Sequence, residues 1–256
     1  MSIDFPKISC LCVTNNRVEF LQRSITCFKS QKYANKELVI VYSLSDLATD
    51  EFLERLYSCD EEINLIKLPF DGQRTLGDLR NISIANSTGE YICIWDDDDW
   101  YHPDRLQIQM KEMLDNSRRA SILFYLLMFD IPNKTAYLTC RRAWENSILC
   151  EKKVLSEFNV SYPSLNRGED SVFADQLKIA NVFYPIIKPQ LYIYCYSGKN
   201  TCDQNHFDLL FEKGQKLSED HSRIVADIVD EKYSSCEAAQ LLASSEFISS
   251  LRYVQL

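Results

Sequence analysis

Four consecutive aspartates, Asp96, Asp97, Asp98 and Asp99, follow directly on an apolar run, Tyr91-Ile92-Cys93-Ile94-Trp95. Adjacent carboxylates repel one another and cannot be buried without compensation. The apolar run reads as a core strand, so the acids emerge at its carboxyl end, the edge of an open α/β sheet where ligands bind. If the chain is still extended there, Asp96 and Asp98 point to one side and Asp97 to the other. Two carboxylates on one side suit a hard divalent cation, which takes oxygen ligands and often keeps a ligand phosphate. Seen alone, the run also reads as a solvated acidic turn before a helix.

Upstream of the aspartates, strand and helix patterns alternate. Residues 7–13, 37–42 and 63–68 read as short strands, the first alternating and rich in branched and sulfur side chains. Between them, residues 18–30 carry Phe20, Leu21, Ile25 and Phe28 at the helical period, and residues 50–59 form a helix with Phe52, Leu53 and Leu56 inward. Residues 77–87 are a third helix, and Pro103 opens a fourth at a favoured first-turn position. Such alternation predicts a parallel sheet with right-handed crossovers. Beyond about residue 120 the chain becomes strand-rich, at 122–129, 136–140 and 147–150, which reads as a mixed-sheet extension. A helix over 170–180 and a strand over 191–196 follow, and the chain is mostly helical from 207 onward.

A length of 256 residues suits one large α/β domain. The formal net charge of -9 argues against a general nucleic-acid binder or a polybasic membrane-surface protein. The ten cysteines show no Cys-x-x-Cys pair and no zinc spacing, so they read as buried core residues in a reducing cytoplasm. The opening Met1-Ser2-Ile3-Asp4-Phe5-Pro6 lacks the basic-then-apolar pattern of a leader, and the longest apolar run, 122–129, is too short to span a bilayer. A cytoplasmic protein with no transmembrane segment is expected, one that a partner can still hold at the inner membrane face.

Five segments in order resemble the family 2 glycosyltransferases. Ile8-Ser9-Cys10-Leu11-Cys12-Val13-Thr14-Asn15-Asn16-Arg17 is similar to that family's first strand and Thr-x-Asn-Arg turn. Leu76-Gly77-Asp78-Leu79-Arg80-Asn81, then Thr88-Gly89-Glu90-Tyr91-Ile92, resembles its Gly-x-x-Arg-Asn helix and the strand after it. Trp95 to Trp100 with His102-Pro103-Asp104-Arg105-Leu106 resembles its Asp-x-Asp loop and the helix start behind it. Gly168-Glu169-Asp170 resembles the acceptor-side Glu-Asp motif, and Gly198-Lys199-Asn200-Thr201 with His206 the C-terminal loop. The match runs over residues 7–210. The resemblance implies a GT-A fold, with a mixed, mostly parallel central sheet flanked by helices. It divides the chain into a glycosyltransferase domain over 1–215, with its nucleotide-binding half over 1–100 and its acceptor half over 101–215, and a helical extension over 216–256.

By the same resemblance the activity is metal-dependent, inverting transfer of a sugar from a nucleoside diphosphate to a hydroxyl. The donor is a UDP-sugar by preference, the acceptor a glycan or lipid-linked glycan, and the setting polysaccharide synthesis. A Mn2+ or Mg2+ ion bridging the diphosphate supplies Lewis-acid stabilisation of the leaving group. Asp98 is its first ligand, supported by Asp96, and the resemblance adds His206, which otherwise reads as a hydrogen-bonded structural residue. Val13, Asn15, Arg17, Ser43, Arg80 and Asp97 are expected around the nucleotide. Ser43 stands where the family usually carries an acid that contacts the base, so a neutral hydroxyl replaces a carboxylate. Taken alone, Arg80 reads equally as a helix-surface residue paired with an acid.

Asp170 is the expected general base, near a helix start whose dipole favours the anion; in isolation an acid there reads as a helix cap. Glu169 is expected to orient the acceptor or Asp170. Trp100, Tyr101 and Trp144 offer faces for a sugar or else pack in the core. A sugar-nucleotide nucleotidyltransferase would carry a glycine-rich loop after the first strand, which residues 13–17 lack. A calcium-binding module would need an Asp-x-Asp-x-Asp-Gly loop. A non-catalytic nucleotide- or glycan-binding module remains the alternative, supported by Tyr42-Ser43.

Overall fold

A computed structural model of the chain describes residues 5–253. The reading of Met1 to Asp4 as free of a leader pattern therefore lies outside the described residues. The first half runs β1 (Ile8–Val13), α1 (Val18–Lys29), β2 (Lys36–Ser43), α2 (Leu47–Tyr57), β3 (Ile63–Leu68), α3 (Leu76–Ala85) and β4 (Tyr91–Ile94). The second half contains β5 (Trp100–Tyr101), α4 (Arg105–Asp115), β6 (Ala120–Leu123), β7 (Leu127–Asp130), β8 (Thr135–Leu138) and β9 (Leu149–Glu151). It continues through α5 (Lys152–Glu157), α6 (Glu169–Ile179), β10 (Phe183–Ile186), β11 (Tyr192–Tyr196), α7 (Gln204–Lys213) and β12 (Gln215–Lys216). The last helices are α8 (Glu219–Val229), α9 (Ser235–Ala243) and α10 (Ser245–Ser250).

The main sheet has seven strands in the order β10-β6-β9-β4-β1-β2-β3, parallel except for β9, which runs antiparallel to both β4 and β6. Strands covered on both faces must be apolar almost throughout, and β1 and β2 are buried over nearly their whole length. The chain builds outward from β1 to β3, then returns to lay β4 on the other side of β1. That reversal opens a crevice at the carboxyl ends of β1 and β4, the topological switch point where α/β sheets bind ligands.

A second sheet, β12-β8-β7-β11-β5, stands apart from the first. The single strand-rich segment expected over 122–129 is divided between the two, β6 in the main sheet and β7 in the second. Helices α8 and α10 close on this second sheet: Val225, Ile228 and Phe247 join the same core as Phe129, Leu138 and Tyr192. The boundary expected at residue 215 falls inside β12, which pairs with β8. Among the described residues no helix is long and apolar enough to cross a membrane.

Two expectations about burial are corrected. Leu56 is 52% exposed, because only the Thr49, Phe52 and Leu53 stripe of α2 turns inward. Cys59 and Cys236 are exposed, while Cys10, Cys12, Cys27, Cys93, Cys150 and Cys195 are buried as read.

Helix α3 is fixed at both levels of its structure. Thr75 and Asp78 form a reciprocal capping box at its start, and Gly77 lets it meet the segment before α6. A Cβ on Gly77 would lie 1.9 Å from the Pro163 carbonyl oxygen, so only glycine permits this approach.

Behind the sheet, Glu37 of β2 is 5% exposed and accepts from the Ser9 hydroxyl, from the Thr88 N–H and hydroxyl, and from Lys7. Burial pushes its carboxyl up, but these donors outweigh burial and hold it down at about 2. A carboxyl depressed on folding stabilises the protein above its unfolded value of about 4.3, and this contribution fades as pH falls through the folded value. Glu37→Gln is expected to cost about 3 kcal/mol at pH 7. The deficit should shrink steadily between pH 4.5 and pH 2 in urea titrations of the two proteins; a pH-independent deficit would contradict this account.

Candidate active site

The apolar run ends as β4 at Ile94, and the chain then turns at Asp97 and Asp98 instead of continuing extended. The alternation expected of an extended chain does not apply, because the backbone turns there. Asp97 and Asp98 share Arg17, whose Nη1 lies 3.4 Å from Asp97 Oδ1 and 2.9 Å from Asp98 Oδ2. Asp96 faces Arg80 instead, with Nη2 3.1 Å from its Oδ1.

The run is not a solvated turn. Asp97, Asp98 and Asp99 are 3%, 6% and 0% exposed, and each is compensated from a different part of the chain. The Thr14 hydroxyl donates to Asp97 at 2.6 Å. The amide of Asn200 donates to Asp98 Oδ2 at 3.1 Å, and Arg23 of α1 donates to the Asp98 carbonyl. Asp99 accepts from the Tyr192 hydroxyl and the Cys195 N–H of β11, so it joins the two sheets and takes no part in the cleft.

Compensation is incomplete at Asp98. Burial, with Asp97 and Asp96 beside it, pushes its carboxyl up to about 7. Both of its side-chain hydrogen-bond partners use Oδ2, and Asp98 lines the cleft. An all-oxygen donor set short of positive charge fits a hard divalent cation. Among the described residues no group of three or more His, Cys, Asp or Glu side chains is arranged to hold an ion unaided. A cation here would draw the rest of its shell from ligand oxygens and water.

The aspartates open onto a cleft of about 490 Å³ that Trp144, Glu145, Glu169, Asp170 and His206 also line. A second cavity of about 440 Å³ continues from it over β1, β2 and the 68–74 loop. Val13, Arg17 and Asp97 line both, so the two form one groove. Asn15 and Ser43 line the second cavity, with the Ser43 and Ser45 hydroxyls 2.7 Å apart. Arg80 does not line that second cavity. It lies in the main cleft, where Nε donates to Glu169 Oε1 at 3.1 Å while Nη2 holds Asp96.

Asp170 does not cap α6. The cap position is Gly168, in the left-handed region at φ 75°, and Asp170 is in the first turn with its carboxylate accepting from the Ser171 N–H. Its side chain is half-buried at the cleft wall, whereas Glu169 is buried against Arg80. Burial pushes the Glu169 carboxyl up, opposed by Arg80.

Trp100 and Tyr101 are buried in β5 and offer no free face. Trp144 is 3% exposed at the cleft wall, with the Arg142 guanidinium 4.5 Å from its ring centroid. His206 is exposed in the first turn of α7. Thr14, Arg23 and Asn200 escaped sequence reading as partners of the acidic loop, the first two as ordinary members of a strand end and a helix. Asn200 carried a signal in Gly198-Lys199-Asn200-Thr201, but not the partner it serves.

The profile of glycosyl transferase family 2 matches residues 9–158, more than half of the chain, including Arg17, Arg80 and Asp96 to Asp99. The chain belongs to glycosyl transferase family 2. An uncharacterized glycosyltransferase of Rickettsia conorii is 30% identical over 113 residues, covering 43% of this chain and 18% of that protein. TuaG of Bacillus subtilis, provisionally named for teichuronic acid biosynthesis, is 24% identical over 123 residues, 48% of each chain. The family 2 chain described here thus spans about half or less of the length of these curated relatives.

Among solved structures, Staphylococcus aureus TarS in complex with UDP-GlcNAc superposes with a TM-score of 0.62 at 16% identity, covering 96% of this chain and 79% of that one. The mannosyltransferase PcManGT of Pyrobaculum calidifontis, in complex with GDP-Man and Mn2+, gives 0.59 at 14% identity, covering 95% and 77%. At such identities the likeness shows the fold alone: this family 2 member has the GT-A architecture, a mixed α/β sheet flanked by helices.

Proposed function

We propose that this chain transfers a sugar from a nucleoside-diphosphate sugar to a hydroxyl acceptor with inversion, assisted by a divalent cation, in the synthesis of a polysaccharide or surface glycan. One observation carries the reading: Asp96, Asp98 and Asp170 face the same cleft, and that cleft runs into the cavity at Ser43. A nucleotide laid along the groove puts its base near Ser43 and Asn15, its ribose near Val13 and Asp97, and its diphosphate at Asp98. TarS complexed with UDP-GlcNAc and PcManGT with GDP-Man support a nucleotide-sugar donor, and the Mn2+ of the latter supports a divalent ion. The transferase unit over 1–215 with its helical extension belongs to this same reading.

Asp98 and Asp96 would hold the ion, with His206 within the same cleft, and the ion would offset the charge that develops on the leaving diphosphate. Arg17, already between Asp97 and Asp98, is the cation the chain itself offers to that charge. Asp170 accepts the proton of the acceptor hydroxyl as its oxygen bonds to the anomeric carbon and the bond to the diphosphate breaks. A base on one side and a leaving-group site on the other require no covalent intermediate, and a single displacement inverts the anomeric centre. The acceptor is a glycan or a lipid-linked glycan, which would bring the protein to the inner membrane face.

Thermal melting with UDP, dTDP, GDP and CDP, each with and without Mn2+, tests the donor site. At 100 times its dissociation constant a ligand adds about 2.7 kcal/mol, or about 5–10 °C of melting temperature for a chain of this size. One nucleotide is expected to give this shift with Mn2+ and little without, UDP being the first candidate. No shift with any of the four would overturn the reading.

A further inference from the structure

The two sides of the cleft reach it by separate routes. Asp96 and Asp98 follow β4, whereas Glu169 and Asp170 begin α6 after the long connection from α5, and α6 lies outside the sheet. A displacement that needs the leaving group on one side and the base on the other depends on their separation, and misplacement by about 1 Å costs on the order of 100-fold in rate.

Arg80 links them directly. Its Nε donates to Glu169 Oε1 and its Nη2 to Asp96 Oδ1, both at 3.1 Å, and its side chain is 13% exposed. Its guanidinium carbon lies 5.7 Å from the centroid of the Tyr162 ring, which itself stacks on Phe173 of α6 at 4.1 Å and 3°. Helix α3, which carries Arg80, is bolted to the segment before α6. Asn81 and Tyr162 exchange two hydrogen bonds, Gly77 N–H donates to the Leu165 carbonyl, and Ser164 donates to Asp78.

We infer that Arg80 is a positioning residue, acting through Asp96 and Glu169 to hold the diphosphate side of the cleft and the base-bearing end of α6 at a fixed separation. The inference rests on the glycosyl-transfer reading above. A planar fork with its donors at fixed angles does this; an ammonium supplies the same charge without the geometry. Arg80→Lys therefore separates positioning from neutralisation.

With UDP-GlcNAc or GDP-mannose as donor, Arg80→Lys is expected to lower kcat about 30–100-fold while the donor KM and the melting shift with UDP or GDP plus Mn2+ stay within about 3-fold of wild type. Glu169→Ala, which removes the oxygen that accepts from Arg80 Nε, should lose a similar factor, and the double variant no more than the worse single one, because both break one linkage. Hydrogen exchange gives a readout independent of turnover. Without ligand, amides 169–173 should exchange several-fold faster in Arg80→Lys, while Thr14 and Trp95 keep wild-type protection.

Losses that multiply in the double variant, a lysine variant that loses donor affinity at unchanged kcat, or unchanged exchange at 169–173 would each overturn the inference. If Arg80→Lys fails to fold, Glu169→Ala alone decides: it must slow turnover and loosen 169–173 without weakening nucleotide binding. A wild-type protein that turns over neither donor would count against the transfer reading, and the exchange pattern would still decide whether Arg80 ties the two walls.

Discussion

Asp170→Asn is expected to lower transfer by about 100- to 10,000-fold while the melting shift with nucleotide and Mn2+ stays at its wild-type size. The factor is that of a positioned general base, which contributes only where a proton moves. Two features make the separation clean. Asp170 lines the main cleft and not the second cavity over Ser43, where the base is proposed to sit. It is not the cap of α6, a place held by Gly168, so the amide removes no capping bond. The substitution keeps the side chain's shape, and Asn can still accept from the Ser171 N–H as the carboxylate does. The checks are steady-state transfer and thermal melting on the same preparation. Transfer within about 3-fold of wild type would leave Asp170 without the role of base. A lost melting shift would put Asp170 in the donor site instead.

The second large effect is expected at Asp98. Asp98→Asn should abolish the Mn2+-dependent part of nucleotide stabilisation, taking a shift worth about 2.7 kcal/mol at saturating ligand to near zero. A neutral amide is a poor ligand for a hard cation that must also dehydrate. The ligand-free variant should melt at or above the wild-type temperature, because the substitution removes a buried charge from beside Asp96 and Asp97 and keeps an oxygen for Arg17 and Asn200. The two halves of the prediction point in opposite directions, so general destabilisation cannot imitate the result. Mn2+-dependent binding that survives in Asp98→Asn would move the ion to Asp96 or remove it from the site.

The cleft also explains why the acidic run takes this form. Four adjacent carboxylates are tolerated because each meets its own set of partners, with only Arg17 shared: Arg80 for Asp96, Thr14 and Arg17 for Asp97, Arg17 and Asn200 for Asp98, and β11 for Asp99. Three of the four turn to the cleft and the fourth to the core. A shift of one residue in this turn would exchange the structural aspartate for one at the site.

Much of this was legible in the residues. Hydrophobic runs bounded by turns located β1 to β4 and the helices between them, since those strands are covered on both faces and must be apolar throughout. The acids could then lie only at a carboxyl edge, and the Gly-Glu-Asp triplet preceded a helix start, so residues that share the cleft could be named from sequence. Tertiary structure alone decided the rest. It bent the chain at Asp97 and Asp98, which local pattern did not reveal because the turn is held by Arg17, Arg23 and Asn200 from far away. It split residues 122–129 between two sheets and turned Leu56 to solvent, outcomes fixed by which surfaces meet and not by periodicity. It also placed Arg80 between Asp96 and Glu169, in the main cleft and not in the cavity over Ser43. Carboxylates 73 residues apart on the chain (96 and 169) become neighbours of one guanidinium only when α3, β4 and α6 are packed together. Sequence determines which groups are present and on which element; their pairing is a property of the packed whole.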